Sequence, residues 1–167
     1  NYTVVATGTD MATPGNIGTA TATLNVSAVT TTNNRTTVYS PETNTTLFIN
    51  VTQDVTNEPL SLVRTSRNMT GIMVPPTLVP MLKDGYLQIN ASSNLRSRIA
   101  NITIRMFYNE SDIPQGIDNT SLRLYQYNGT TGDWDELLPG GVNTTRRYVW
   151  GYTTQISYFG IFRKDLI

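Results

Sequence analysis

The chain has 167 residues, no Cys and no His, and twelve basic residues balance twelve acidic ones. Those absences exclude disulfides, thiol nucleophiles, Ser-His-Asp triads and imidazole metal sites. Zero net charge with only two Lys gives no electrostatic footprint for nucleic acid, and no apolar run approaches the ~18 residues of a membrane-spanning helix.

Apolar residues alternate with period two nearly throughout. The first expected strands are Tyr2–Thr7 and Ile17–Ala28, flanking a turn at Thr13–Asn16. Residues 1–29 contain no Arg, Lys or Glu, and two strands cannot bury a core alone. They read as an N-terminal two-strand segment, the tail of an Ig-like domain or a donor strand. Residues 30–37 read as a Thr/Asn linker, and 38–167 as a β-sandwich surface domain. Within it the expected strands are Thr46–Gln53, Leu60–Arg64, Gly85–Ser92, Ile99–Tyr108, Ser121–Tyr127, Trp134–Leu137, Arg146–Tyr152 and Ile156–Phe162. β-Branched and aromatic residues dominate them. Pro75, Pro76 and Pro80 break the stretch around Val74–Leu82 into a loop or edge crossing. A helical turn is expected near Ser111–Ile117, and turns at Asn128–Gly129, Thr131–Asp133 and Pro139–Gly141. The expected fold is all-β, an antiparallel Ig-like or jelly-roll-like sandwich.

The loudest signal is Asn-x-Ser/Thr, the N-glycosylation acceptor. It occurs at Asn1, Asn25, Asn34, Asn44, Asn50, Asn68, Asn90, Asn101, Asn109, Asn119, Asn128 and Asn143, twelve of sixteen Asn. Composition alone accounts for roughly four matches. A strand alternates faces at each residue, so Asn and Ser/Thr of a strand-borne sequon share one face. Leu24/Val26/Ala28, Leu47/Ile49/Val51, Leu87/Ile89/Ala91 and Ile102/Ile104/Met106 are then expected to face the core. Asn25, Asn50, Asn90 and Asn101 are expected to face solvent.

From Asn101 onward the chain resembles a small β domain near the C-terminus of archaeal cell-surface and S-layer-associated proteins. The runs carrying this likeness are Asn101–Arg105, Gly116–Asp118, Ser121–Trp134, Gly141–Thr145, Tyr148–Trp150 and Ile156–Phe162. Residues 1–29 look like the last hairpin of an Ig-like repeat. The resemblance implies an extracellular module with no reaction attached, and the architecture is analogous to donor-strand archaeal threads and bundling pili.

Candidate chemistry is sparse. Asp133, Asp135 and Glu136 surround Trp134, but a solvated turn beside an aromatic anchor explains them better than a glycosidase pair. Trp134 and Trp150 are candidates for sugar stacking, against a core or rim role. Glu110, Asp112 and Asp118 could ligate calcium, against a reading as caps and surface charge. Arg146–Arg147 and the pair Arg96 and Arg98 read as solvated strand faces or partners for carboxylates.

The resulting expectation is a non-catalytic structural subunit of an extracellular filament, sheath or S-layer. It is N-glycosylated, needs no cofactor or metal, and has no nucleic-acid partner and no membrane segment. Its partners are further copies of itself, joined head to tail by β-strand addition, and other surface-layer proteins. The strand-exchange candidates are Ala20, Ala22, Leu24 and Val26. The alternative is an adhesin or glycan-binding module, which expects an aromatic-lined pocket free of sequons.

Overall fold

A computed structural model describes the backbone of residues 3–9, 19–66, 68, 70, 71, 74–81 and 83–164, and their side chains outside 3–9, 19–21 and 164. In chain order the strands are β1 (Thr3–Thr9), β2 (Thr19–Val29), β3 (Arg35–Ser40), β4 (Thr45–Val51), β5 (Glu58–Thr65), β6 (Leu78–Pro80), β7 (Tyr86–Ala91), β8 (Ile99–Phe107), β9 (Leu122–Asn128), β10 (Asp133–Glu136), β11 (Gly140–Asn143), β12 (Tyr148–Thr153) and β13 (Tyr158–Lys164). One short helix, α1 (Ser93–Arg98), joins β7 to β8. The first sheet runs β1-β2-β5-β7-β13-β9-β10, and β6 also pairs with β13. The second runs β11-β12-β8-β4-β3. The chain is an all-β antiparallel sandwich.

Strand alternation builds the core between the sheets. Leu60, Leu62, Leu87, Ile89, Leu122, Leu124, Phe159 and Ile161 enter from the first sheet. Leu47, Ile49, Val51, Ile102, Ile104, Met106 and Val149 meet them from the second. Each fully buried aliphatic side chain contributes about 1.5–3 kcal/mol.

The first sheet has a second core on its outer face. Phe159 and Ile161 point inward, so Tyr158, Gly160 and Phe162 point outward. Phe162 is fully buried there among Tyr86, Tyr125, Trp134 and Leu78. The segment from Val74 through β6 covers this cluster. Gly160 makes room for it: a Cβ there would lie 2.5 Å from the Phe162 ring.

α1 closes one end of the main core with fully buried Leu95. Ser92 caps it, its Oγ accepting the Leu95 N–H at 3.1 Å. The same hydroxyl donates to the Glu58 carboxylate, and so does the Asn94 amide. These bonds hold the Glu58 pKa below its usual value. A depressed carboxylate stabilises the fold above its unfolded pKa, and that contribution is lost as pH falls through the folded value. Ser92→Ala removes the cap, at about 1 kcal/mol in denaturant melts. In NMR titration it moves the Glu58 midpoint up, toward an ordinary carboxylate.

Several expectations need correction. Within residues 1–29, β2 pairs with β5 of the same chain along Ala22–Val29. Residues 30–37 are not a linker: Thr31 is buried, its hydroxyl donating to Asp54 at 2.8 Å. Asn33 and Asn34 take positive φ there, which Asn tolerates better than most residues. Their turn starts β3, hidden in the sequence by its Thr content. β11 begins at the Pro-Gly-Gly expected to be a plain turn. A Cβ on Gly140 would meet the Leu137 and Trp150 carbonyls at 2.4 and 2.9 Å, so glycine permits close strand approach. The helical turn expected at Ser111–Ile117 is a shorter 3-10 turn at Glu110–Asp112.

Candidate functional site

Asn1 lies outside the described residues. Ten of the other sequon asparagines are exposed or half-buried: Asn34, Asn44, Asn50, Asn68, Asn90, Asn101, Asn109, Asn119, Asn128 and Asn143. Asn90 points to the outer face of the first sheet, because Leu87 and Ile89 point inward. Asn50 and Asn101 lie on the outer face of the second sheet, where Asn50 Nδ2 donates to Asn101 Oδ1 at 2.7 Å. Asn34 and Asn44 occupy turns at positive φ. Asn68 and Asn128 accept the N–H two residues ahead, from Thr70 and Thr130, each at 3.0 Å. Asn109 precedes the 3-10 turn at Glu110–Asp112, Asn119 opens the next one, and Asn143 ends β11. Acceptors thus lie on both sheet faces and at loop tips.

Asn25 is the exception, at 2% exposure. Its amide donates to Glu42 at 2.8 Å, and its carbonyl accepts the Ser27 hydroxyl at 2.8 Å. A sugar there would have to displace Glu42. The cause is register: Asn25 pairs with Leu62 and Ser27 with Leu60, both core residues. From Ala22 to Val29 the side chains of β2 are therefore inverted relative to the expectation. Leu24 is half-buried and Val26 is 39% exposed, on the outer face. Ala22 lies on that same face. Ala20 is placed by backbone register alone, opposite Gly8. None of Ala22, Leu24 and Val26 is buried in the main core.

Asn25 belongs to a polar end of the interior that sequence reasoning missed. Ser40, Thr43, Thr45 and Arg64 are all buried there. Arg64 Nη1 donates to the Thr43 and Asn44 carbonyls, both at 2.9 Å. Its Nη2 donates to the Phe107 carbonyl at 2.6 Å, and Nε to the Asp84 carbonyl at 2.7 Å. Burial pushes its pKa down to about 10, countered in part by Asp84 and Asp112, so it stays charged at neutral pH. The signal was present in the sequence: Leu60, Leu62 and Arg64 share one strand face.

The two tryptophans occupy different surfaces. Trp134 is buried in the outer cluster of the first sheet, its ring 5.1 Å from Phe162 and 5.6 Å from Tyr127. Its Nε1 and the Tyr125 hydroxyl find no partner among the described residues. Trp150 lies half-buried on the outer face of the second sheet, opposite Arg105. They form no joint stacking platform.

The carboxylates are dispersed among separate partners. Asp135 accepts from Asn128 at 3.0 Å, and Glu136 lies 3.7 Å from Arg123. Asp133 is exposed. Asp112 accepts the Asn109 N–H, Asp118 accepts the Thr120 N–H, and Glu110 pairs with Arg147 at 3.3 Å. Among the described residues no cluster of three potential metal ligands forms, and no helix is long and apolar enough to cross a membrane. Arg98 donates to the Asp54 carbonyl, and Arg96 is exposed. No family model and no curated protein matches the chain.

Proposed function

We propose that the chain is a glycosylated, non-catalytic structural subunit of an archaeal extracellular surface assembly, joined to its neighbours by β-strand addition. The carrying observation is the nature of the β2–β5 contact. The ladder runs in register from Ala22 opposite Thr65 to Val29 opposite Glu58. Within residues 22–28 only Asn25 is buried, and Val29 alone joins the apolar core. Main-chain hydrogen bonds therefore dominate the attachment. They are independent of which copy supplies the strand, so β2 of a second copy fits the same edge of β5. Head-to-tail repetition of that contact gives an open fibre.

The sequon distribution supports the glycosylated-surface part of this reading. Sugars on both sheet faces would leave strand edges as the preferred contacts. An adhesin role would draw on the aromatic outer face of the second sheet, but Asn50 and Asn101 share that face.

The chain has no Cys, so introduced thiols report pairing directly. Val26 and Ser61 are register partners, within disulfide reach across antiparallel strands. When Val26→Cys and Ser61→Cys chains are mixed under assembly conditions, covalent heterodimers are expected. Either variant alone should give none. The doubly substituted chain should form ladders of multimers. A disulfide that stays within one chain at every concentration would reject strand exchange.

A further inference from the structure

The outer face of the second sheet is ordered in rows. Arg35, Asn50 and Asn101 form one, Thr37, Phe48 and Thr103 the next, and Thr46 pairs with Arg105 in the third. The Arg105 guanidinium lies 4.6 Å from the Phe48 ring centroid and 4.9 Å from that of Tyr148. Tyr148 is in the row beyond Arg105, opposite Phe107. Arg105 thus contacts both rings, and it stands in the row on the far side of Phe48 from Asn50. The Asn50–Asn101 row lies on the opposite side of the Phe48 row.

Asn50 is exposed and Asn101 half-buried. Asn50 Nδ2 carries two protons, and one is directed to Asn101 Oδ1 at 2.7 Å. The ladder shifts register immediately after Asn50, where Val51 pairs with Ile99. Such a bulge re-aims the neighbouring side chain. Asn50 and Phe48 are two residues apart on one strand face, about 6.5–7 Å. That distance suits a pyranose linked at Asn50 Nδ2 and lying over Phe48 from the Asn50 side. Its C–H groups carry partial positive charge and meet the negative face of the ring.

We propose that Asn50 and Asn101 form a single glycan-attachment site: Asn50 carries the sugar, Asn101 orients the acceptor amide, and Phe48, braced by Arg105, seats the first pyranose. This rests on the glycosylated-surface reading. The donor is a lipid-linked glycosyl phosphate acted on by a transferase. A bond forms between Asn50 Nδ2 and the anomeric carbon, and the bond from that carbon to the phosphate oxygen breaks. The lipid phosphate leaves with the electron pair, one Nδ2 proton passes to the transferase base, and the remaining N–H stays on Asn101. A second pyranose on Asn101 would compete for the same row, so the two sequons exclude each other.

The test uses the chain made in its own cells. Intact-mass and glycopeptide spectrometry should find sugar on Asn50 and no chain modified at both Asn50 and Asn101. The glycan should raise the melting temperature by about 2–4 °C, the shift expected for one aromatic contact in a chain of this size. That shift is the difference between Asn50 and Asn50→Gln proteins, compared across backgrounds as a double-mutant cycle. It should persist with Phe48→Tyr and fall below about 1 °C with Phe48→Leu or Arg105→Gln. Doubly modified chains, or a shift independent of Phe48, would overturn the proposal. An empty Asn50 with sugar elsewhere, for example on Asn128, would overturn it and leave the glycosylated-surface reading intact. No sugar at any sequon would remove both.

Discussion

Arg64→Met is expected to destabilise the fold by about 3–5 kcal/mol. Arg64 gathers four carbonyls from three places: the β3–β4 turn, the end of β8 and the turn before β7. Methionine fills most of the volume but donates nothing. The Thr43 carbonyl would retain the Thr45 hydroxyl, and the Asn44 carbonyl the Phe107 N–H. The other two lose charge-assisted bonds, which water entering the adjoining cavity of about 70 Å³ replaces only with weaker neutral ones. In urea the midpoint should fall by about 2 M, taking a slope near 2 kcal/mol per M. Arg64→Lys should recover about half, since an ammonium has three donors and no planar fork. A loss under about 1 kcal/mol in Arg64→Met would show that the carbonyls find other partners.

Arg64 also shows which parts of this fold were legible in the sequence. Alternation correctly put Leu47, Ile49 and Val51 inward, and likewise Ile102, Ile104 and Met106, because both strands are central in their sheet and one face must be apolar. It failed on β2. That strand crosses the polar end of the interior, where Glu42 accepts from Asn25 and Ser40, and Asn25 from Ser27, in place of a hydrophobic wall. A polarity pattern cannot identify the inward face when the interior itself is polar there. Most sequons were correctly assigned to solvent for the converse reason: an unpaired amide is costly to bury. The pairing of Asn50 with Asn101 was illegible, since residues 51 apart meet only through strand register. β3 and β11 escaped notice because Thr-rich and Gly-rich stretches weaken the strand signal. The outer aromatic cluster left a trace in the nearly continuous apolar run Tyr158–Phe162, which suits a strand covered on both faces.

That two-sided burial yields the other large effect. Phe162→Ala should cost about 3–5 kcal/mol, as much as a truncation in the main core, although Phe162 is on the outer face of its sheet. Its ring is fully buried and meets Trp134, Tyr125 and Tyr86 at centroid distances of 5.1, 5.5 and 5.8 Å. The first and last of these partners come from β10 and β7, so one side chain ties strands on both sides of β13. Truncation removes these edge contacts, each worth about 0.5–1.5 kcal/mol beyond burial, and leaves a void above Gly160. The cover around β6 then loses its main apolar support. The damage should be local: far-UV circular dichroism keeps its β signature, while Trp134 emission shifts to the red in native buffer. Amides around Leu78 should exchange faster, and those of Ile102 and Ile104 should keep their order of protection. Phe162→Leu should cost less, about 1–2 kcal/mol, because volume is largely retained. If Phe162→Ala melts with unchanged midpoint and unchanged Trp emission, the cluster is a surface ornament of the sheet. If all amides lose protection together, the outer and inner cores form one cooperative unit.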